Sequence, residues 1–140
     1  MRIITKSPQA TKKLAAEITK KLRGGQILAL EGDLGGGKTV FVQGVAKAFG
    51  IKENVTSPTF VILKKYKTNK KFNLIHIDLY RIKKTDLETL GFSEFSSNKD
   101  NLVIIEWADK IKEILPKKTV WIRFDFVDQN SRLITIEGLE

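Results

Sequence analysis

Apolar positions along this chain change period several times, and each change marks an element. Ile3 and Ile4 within Arg2 to Thr5 predict a short edge strand. Ser7-Pro8 then supplies a cap residue and a proline at the first helical position, where a missing N–H costs nothing. Leu14, Ala15, Ile18 and Leu22 recur at helical spacing, so the helix is expected to run to Arg23 and stop at Gly24-Gly25. The unbroken apolar run in Gln26 to Glu31 predicts a buried strand, and Phe41, Val42, Val45, Ala46 and Phe49 predict a helix closed at Gly50.

Ile51 to Thr59 shows no period. Strands are expected over Phe60 to Tyr66 and Phe72 to Leu79, joined by the polar turn Lys67 to Lys71. Thr85-Asp86-Leu87-Glu88 fits a capping box for a short helix closed by Gly91, and Phe92 to Asn101 reads as a polar loop with two aromatics. Leu102 to Ile105 is the most strand-like run of all. Ala108 to Leu115 predicts a short helix ended by Pro116. The alternation Val120, Ile122, Phe124, Phe126, the turn Asp128 to Ser131 and the strand Leu133 to Glu137 make a hairpin.

Composition narrows the class. At 140 residues, 41% hydrophobic and 29% charged, the chain has room for one domain, taken as 1–140, with one core. There is no cysteine, hence no disulfide or thiolate metal site. No run has the length of a signal peptide core or a membrane span, so a cytoplasmic location without membrane contact is expected. The formal charge of +9 invites a polyanionic partner, but the lysines are scattered in pairs and outnumber arginine 20 to 5. Arginine is the residue that grips phosphates and bases bidentately.

The candidate chemistry centres on Gly32-Asp33-Leu34-Gly35-Gly36-Gly37-Lys38-Thr39, a full Walker A pattern between an expected strand and an expected helix. Glycines let backbone amides curl around phosphate oxygens, Lys38 adds a point charge, and Thr39 offers a hydroxyl to Mg²⁺. The fold class follows: α/β, a P-loop NTPase-like three-layer sandwich with a mixed parallel and antiparallel central sheet. Two strand ends deliver carboxylates, Asp78 in a Walker B-like position and Glu106 after the apolar run. In open α/β sheets, that edge is where ligands bind. His76 shares a face with Asp78 and reads as a structural residue. Thr56-Ser57-Pro58-Thr59 is either a switch segment around a γ-phosphate or a plain turn into the next strand.

Four features in order, the Walker loop, Ser57-Pro58-Thr59-Phe60, His76-Ile77-Asp78-Leu79-Tyr80-Arg81 and Glu106-Trp107, make the chain resemble the TsaE family of bacterial threonylcarbamoyladenosine tRNA modification along nearly its whole length. The resemblance implies binding of ATP or ADP with Mg²⁺, weak ATPase activity alone, and work with two partners, TsaB-like and TsaD-like, the latter the ASKHA-fold catalytic subunit. Contact with tRNA would be indirect. By matched position, Asp33 to Val40 would surround the nucleotide, Lys38 would hold phosphates, Thr39 and Glu106 the Mg²⁺, and Thr59 would belong to the first switch. Asp78 would sit near the metal or attacking water, with Trp107 beside the pocket and Thr11 and Arg132 as further nucleotide contacts. Two positions depart from the family pattern: Ala108 stands where proline is usual, and Val40 where a second threonine is common.

Two other readings share these residues. A small-molecule kinase also begins with a Walker loop, but there is no arginine-rich lid segment and little chain to build an acceptor pocket. A basic RNA-binding module with a vestigial nucleotide site would show affinity for tRNA that is steep in salt and indifferent to ATP.

Overall fold

The computed structural model describes residues 1–33, 37–55, 63–80 and 84–139, with only the backbone of Lys84 and Thr85. Seven strands form one sheet: β1 (Arg2–Thr5), β2 (Ile27–Gly32), β3 (Leu63–Lys67), β4 (Asn73–Asp78), β5 (Asn101–Glu106), β6 (Val120–Phe126) and β7 (Arg132–Glu137). Their order is β1-β7-β6-β2-β5-β4-β3. The central four, β6, β2, β5 and β4, run parallel, while β3, β7 and β1 pair antiparallel at the flanks. This is the mixed α/β sandwich expected, with β1 at an edge.

Strand alternation divides the core in two. On one face Leu28, Leu30, Leu74, Leu102, Ile104, Ile122 and Phe124 pack beneath α1 (Pro8–Thr19) and α2 (Lys38–Ala48). On the other, Ala29, Ile75, Ile77, Val103 and Ile105 meet α3 (Lys84–Thr89), α4 (Phe92–Ser96) and a 3₁₀ helix over Ala108–Ile114. Beyond the 3₁₀ helix, that second face carries a shallow groove of about 490 Å³ lined by Arg2, Glu31, Trp121, Arg123 and Asp125, among others. Its charges are balanced, and it holds none of the phosphate-loop residues.

The first helix begins as its sequence requires, with Ser7 Oγ accepting from Ala10 N at 3.0 Å and Pro8 in the first turn. It ends earlier than Arg23. Thr19 turns its hydroxyl back to Ala16 O at 2.6 Å, and Lys21 N and Leu22 N reach three residues back, to Ile18 O and Thr19 O. That tightened turn still buries Leu22, which is why the apolar stripe overstates the helix.

Helices α1 and α2 touch where Gly44 removes a side chain: a Cβ there would stand 2.8 Å from Ala15 Cβ and 2.8 Å from Lys12 Cα. Gly44→Leu is therefore expected to wedge the helices apart and lower stability by about 1–3 kcal/mol, read as a shifted urea midpoint at unchanged slope.

Two local expectations are corrected. Phe92 to Asn101 is not all loop: after Gly91 turns at φ 79°, Phe92–Ser96 forms a helix, with buried Phe92 edge-on to Phe95 at 5.5 Å. Five residues are too few to show a period, but the aromatics three apart share one face. Thr85 lies inside α3 rather than capping it, because the helix already begins at Lys84. The start of the expected strand, Phe60 to Ile62, lies outside the described residues.

Candidate functional site

Parallel pairing brings the candidate residues to one edge. Gly32 ends β2, Asp78 ends β4 and Glu106 ends β5 between them, with Asp78 opposite Glu106 and Leu30 opposite Glu106 in the two registers. Gly32 itself has φ 143°, and a Cβ there would stand 2.5 Å from the Phe124 carbonyl oxygen, so β6 presses directly against the entry to the loop. Gly37 precedes α2 at φ 99°, a left-handed turn that suits glycine and starts the helix without a side-chain cap. Leu34, Gly35 and Gly36 lie outside the described residues, as does Thr59.

Lys38 opens α2 and is buried. Its ammonium donates to the carbonyl oxygens of Gly32 and, at 3.1 Å, of Asp33, and it lies 3.8 Å from the centroid of the Trp107 ring. Burial holds its pKa below the ordinary 10.5, while Glu106, Asp109, Asp33 and Asp78 pull in the other direction. The charge is thus desolvated but surrounded by acceptors. Trp107 reaches it by a backbone reversal: at φ 61° it is the one described non-glycine residue in left-handed conformation, turning the chain just past β5. Tyr80 stacks against its ring at 5.2 Å, and Lys110 Nζ ties the 3₁₀ helix to the end of β4 by donating to Leu79 O and Tyr80 O at 2.9 and 2.6 Å.

Thr39, the next residue of α2, donates its hydroxyl to Glu106 Oε1 at 3.2 Å. The other oxygen of the same carboxylate accepts from His76 Nε2 at 2.6 Å, deep under α2, where His76 is 0% exposed and Glu106 2%. Glu106 is therefore held at both oxygens and is no surface carboxylate. Asp78 stands half-buried beside it and accepts from Tyr80 N at 2.9 Å, an Asx turn that fixes the strand's exit. His76 is the residue that sequence reasoning left out. Its two-residue spacing from Asp78 placed it on the right face, but only the β4–β5 pairing shows which carboxylate it reaches.

The remaining candidates stand apart to different degrees. Thr11 is buried, its hydroxyl 2.7 Å from that of Thr5, so it joins α1 to β1. Val40 is half-buried in the first turn of α2. Arg132 bonds to Asp128 O and Ser131 O at 2.8 Å and lies over the Phe126 ring, yet its stem borders the loop: a Cβ on Gly37 would lie 3.8 Å from its Cγ. No helix among the described residues is long and apolar enough to cross a membrane.

The family described as "Threonylcarbamoyl adenosine biosynthesis protein TsaE" matches residues 5–134. A Rickettsia felis protein named tRNA threonylcarbamoyladenosine biosynthesis protein TsaE is 39% identical over 96% of this chain and 78% of its own length. A protein of the same name from Aquifex aeolicus is 37% identical, over 96% and 93% of the two chains. The crystal structure of Bacillus subtilis YdiB superimposes with a TM-score of 0.75 at 32% identity, covering 97% of this chain and 83% of that one. With a family match across nearly the whole sequence and relatives this similar end to end, the chain belongs to the TsaE family.

Proposed function

We propose that the chain is the Mg²⁺-dependent ATP-binding and hydrolysing subunit of the complex that forms threonylcarbamoyladenosine at position 37 of tRNAs reading codons beginning with A. The observation that carries this reading is the hydrogen bond from the Thr39 hydroxyl to Glu106, beside the Lys38 ammonium at the start of a helix. Magnesium prefers a few protein oxygens, with phosphates and water completing an octahedron. Thr39 Oγ1 and Glu106 Oε1 fit that donor set. Among the described residues no group of three or more His, Cys, Asp and Glu could hold a metal, so an all-protein cage is not what these residues build.

When bound, the ion would offset charge on the outer phosphates. The chain's own residues do the rest. Lys38 and the amides at the start of α2 attract the phosphates, Glu106 is kept in orientation by His76, and Asp78 at the neighbouring strand end serves near the metal or the attacking water. Trp107 lies with its ring against the Lys38 ammonium, beside the pocket. Few arginines are available to stabilise a transferring phosphoryl group, which supports a cation supplied in trans by the TsaB-like and TsaD-like partners.

Two measurements test the proposal. Calorimetry with magnesium should show uptake of ATP and ADP by the purified chain, and its slow hydrolysis should rise about tenfold or more once both partners are added. A folded chain that takes up neither nucleotide would overturn the whole reading. Full-speed turnover unaffected by partners would overturn the dependence.

A further inference from the structure

We propose that the pole of the molecule opposite the phosphate loop is a docking surface for the phosphate backbone of RNA. Because β2, β4, β5 and β6 are parallel, the turns that enter them gather at this pole, and those turns carry basic residues. Lys21 and Arg23 follow α1. A Cβ on Gly24 would fall 1.8 Å from the Lys99 carbonyl oxygen, and Gly25 N donates to Asn101 O at 2.7 Å, so this chain end lies against the turn that bears Lys99. That turn meets the next one, since Asn73 N donates to Asp100 O at 2.8 Å, and there Lys70 and Lys71 project. On the other side of β2, whose Leu28 pairs with both Ile104 and Val120, stand Lys117 and Lys118.

All of these side chains are exposed, and none is in an ion pair with a carboxylate of the described residues. The carboxylates Asp33, Asp78, Glu106 and Asp109 lie at the opposite end. Scattered in sequence, these basic residues are thus collected by the parallel topology into a predominantly positive field, in which exposed Asp100 is the one carboxylate of the entering turns.

The chemistry of the pole favours RNA over an acidic protein. Protein interfaces centre on aromatic and apolar anchors and are depleted in lysine. Here the exposed large apolar side chains, such as Ile4, Tyr80, Leu90 and Phe126, lie on other segments. Ammonium groups without interleaved aromatics bind phosphates and read no bases. The surface therefore offers direct, sequence-indifferent contact with an RNA such as the tRNA acted upon, in place of the indirect contact that the resemblance implies and independent of the nucleotide site.

The test uses the full chain and fluorescently labelled tRNA, with anisotropy followed from about 50 to 200 mM salt, where such contacts weaken steeply. A Lys70→Glu/Lys71→Glu/Lys99→Glu protein is compared with a Lys6→Glu/Lys12→Glu/Lys13→Glu protein of equal net charge, altered at the N-terminal end of α1. Melting and ATP uptake confirm that both are folded. Affinity about tenfold or more below the parent in the first variant, with a shallower salt slope and little change in the second, is expected. The proposal is overturned if the parent binds no tRNA at the lowest salt, if both variants lose affinity alike, or if polyglutamate displaces the parent as effectively as RNA does.

Discussion

Replacing Lys38 with methionine is expected to lower ATP affinity about 100-fold or more and to leave the fold at least as stable as the parent. The two outcomes have one cause. Lys38 is buried among carbonyls and the Trp107 ring, and desolvation holds its pKa below 10.5. A proton bound more weakly in the folded chain than in the unfolded one costs stability wherever the ammonium is still charged, below the lowered pKa. That cost fades as pH rises toward 10.5. Methionine keeps the stem's packing and removes the charge. Melting followed from neutral to alkaline pH should show the parent gaining on the variant as pH rises, while calorimetry at neutral pH shows the loss of nucleotide. A variant that binds ATP normally, or one that melts well below the parent at neutral pH, would refute this account of the site.

Glu106→Gln is expected to reduce partner-stimulated hydrolysis about 100-fold or more and to abolish the contribution of magnesium to ATP affinity, with metal-free nucleotide binding retained. Glutamine keeps the shape and loses the charge that a divalent ion needs. Glu106→Ala behaves differently, because it removes the oxygen that Thr39 donates to and leaves the His76 Nε2–H buried without the carboxylate it meets. An unsatisfied buried donor costs about 1–3 kcal/mol, so the alanine variant should melt lower and the glutamine variant less so. Measuring nucleotide affinity with magnesium and then with a chelator separates metal binding from folding. If glutamine preserves the magnesium effect, Glu106 is not a metal ligand.

Much of the site was legible because its signals are local. The Walker loop needs only eight adjacent positions, and the periods on either side of it identify a strand and a helix without knowledge of the rest. Glu106 was visible as a carboxylate at the end of an apolar run. What could not be read was neighbourhood across the sheet. β5 inserts between β2 and β4 although β3 and β4 precede it in the chain, and only that order sets Glu106 against Thr39 on one side and His76 on the other. His76 looked structural because its partner lies thirty residues away. Thr11 is named only as a nucleotide contact implied by the resemblance, and its bond to Thr5 across the turn that folds β1 onto α1 is a contact that helical periodicity does not encode. The last turn of α1 and the five residues of α4 escaped for a simpler reason: each is shorter than the window in which a period can be recognised.

Strand β1 has a single neighbour, β7, joined in antiparallel register from Arg2 with Thr135 to Thr5 with Arg132. On the ribosome, the earliest of the seven strands therefore emerges without its mate and stays unpaired until the latest has been made. The four parallel strands around the phosphate loop can come together meanwhile, so closure of that flank is a terminal event of biogenesis. Until then the exposed isoleucines of β1 are open to chaperones and to misassociation.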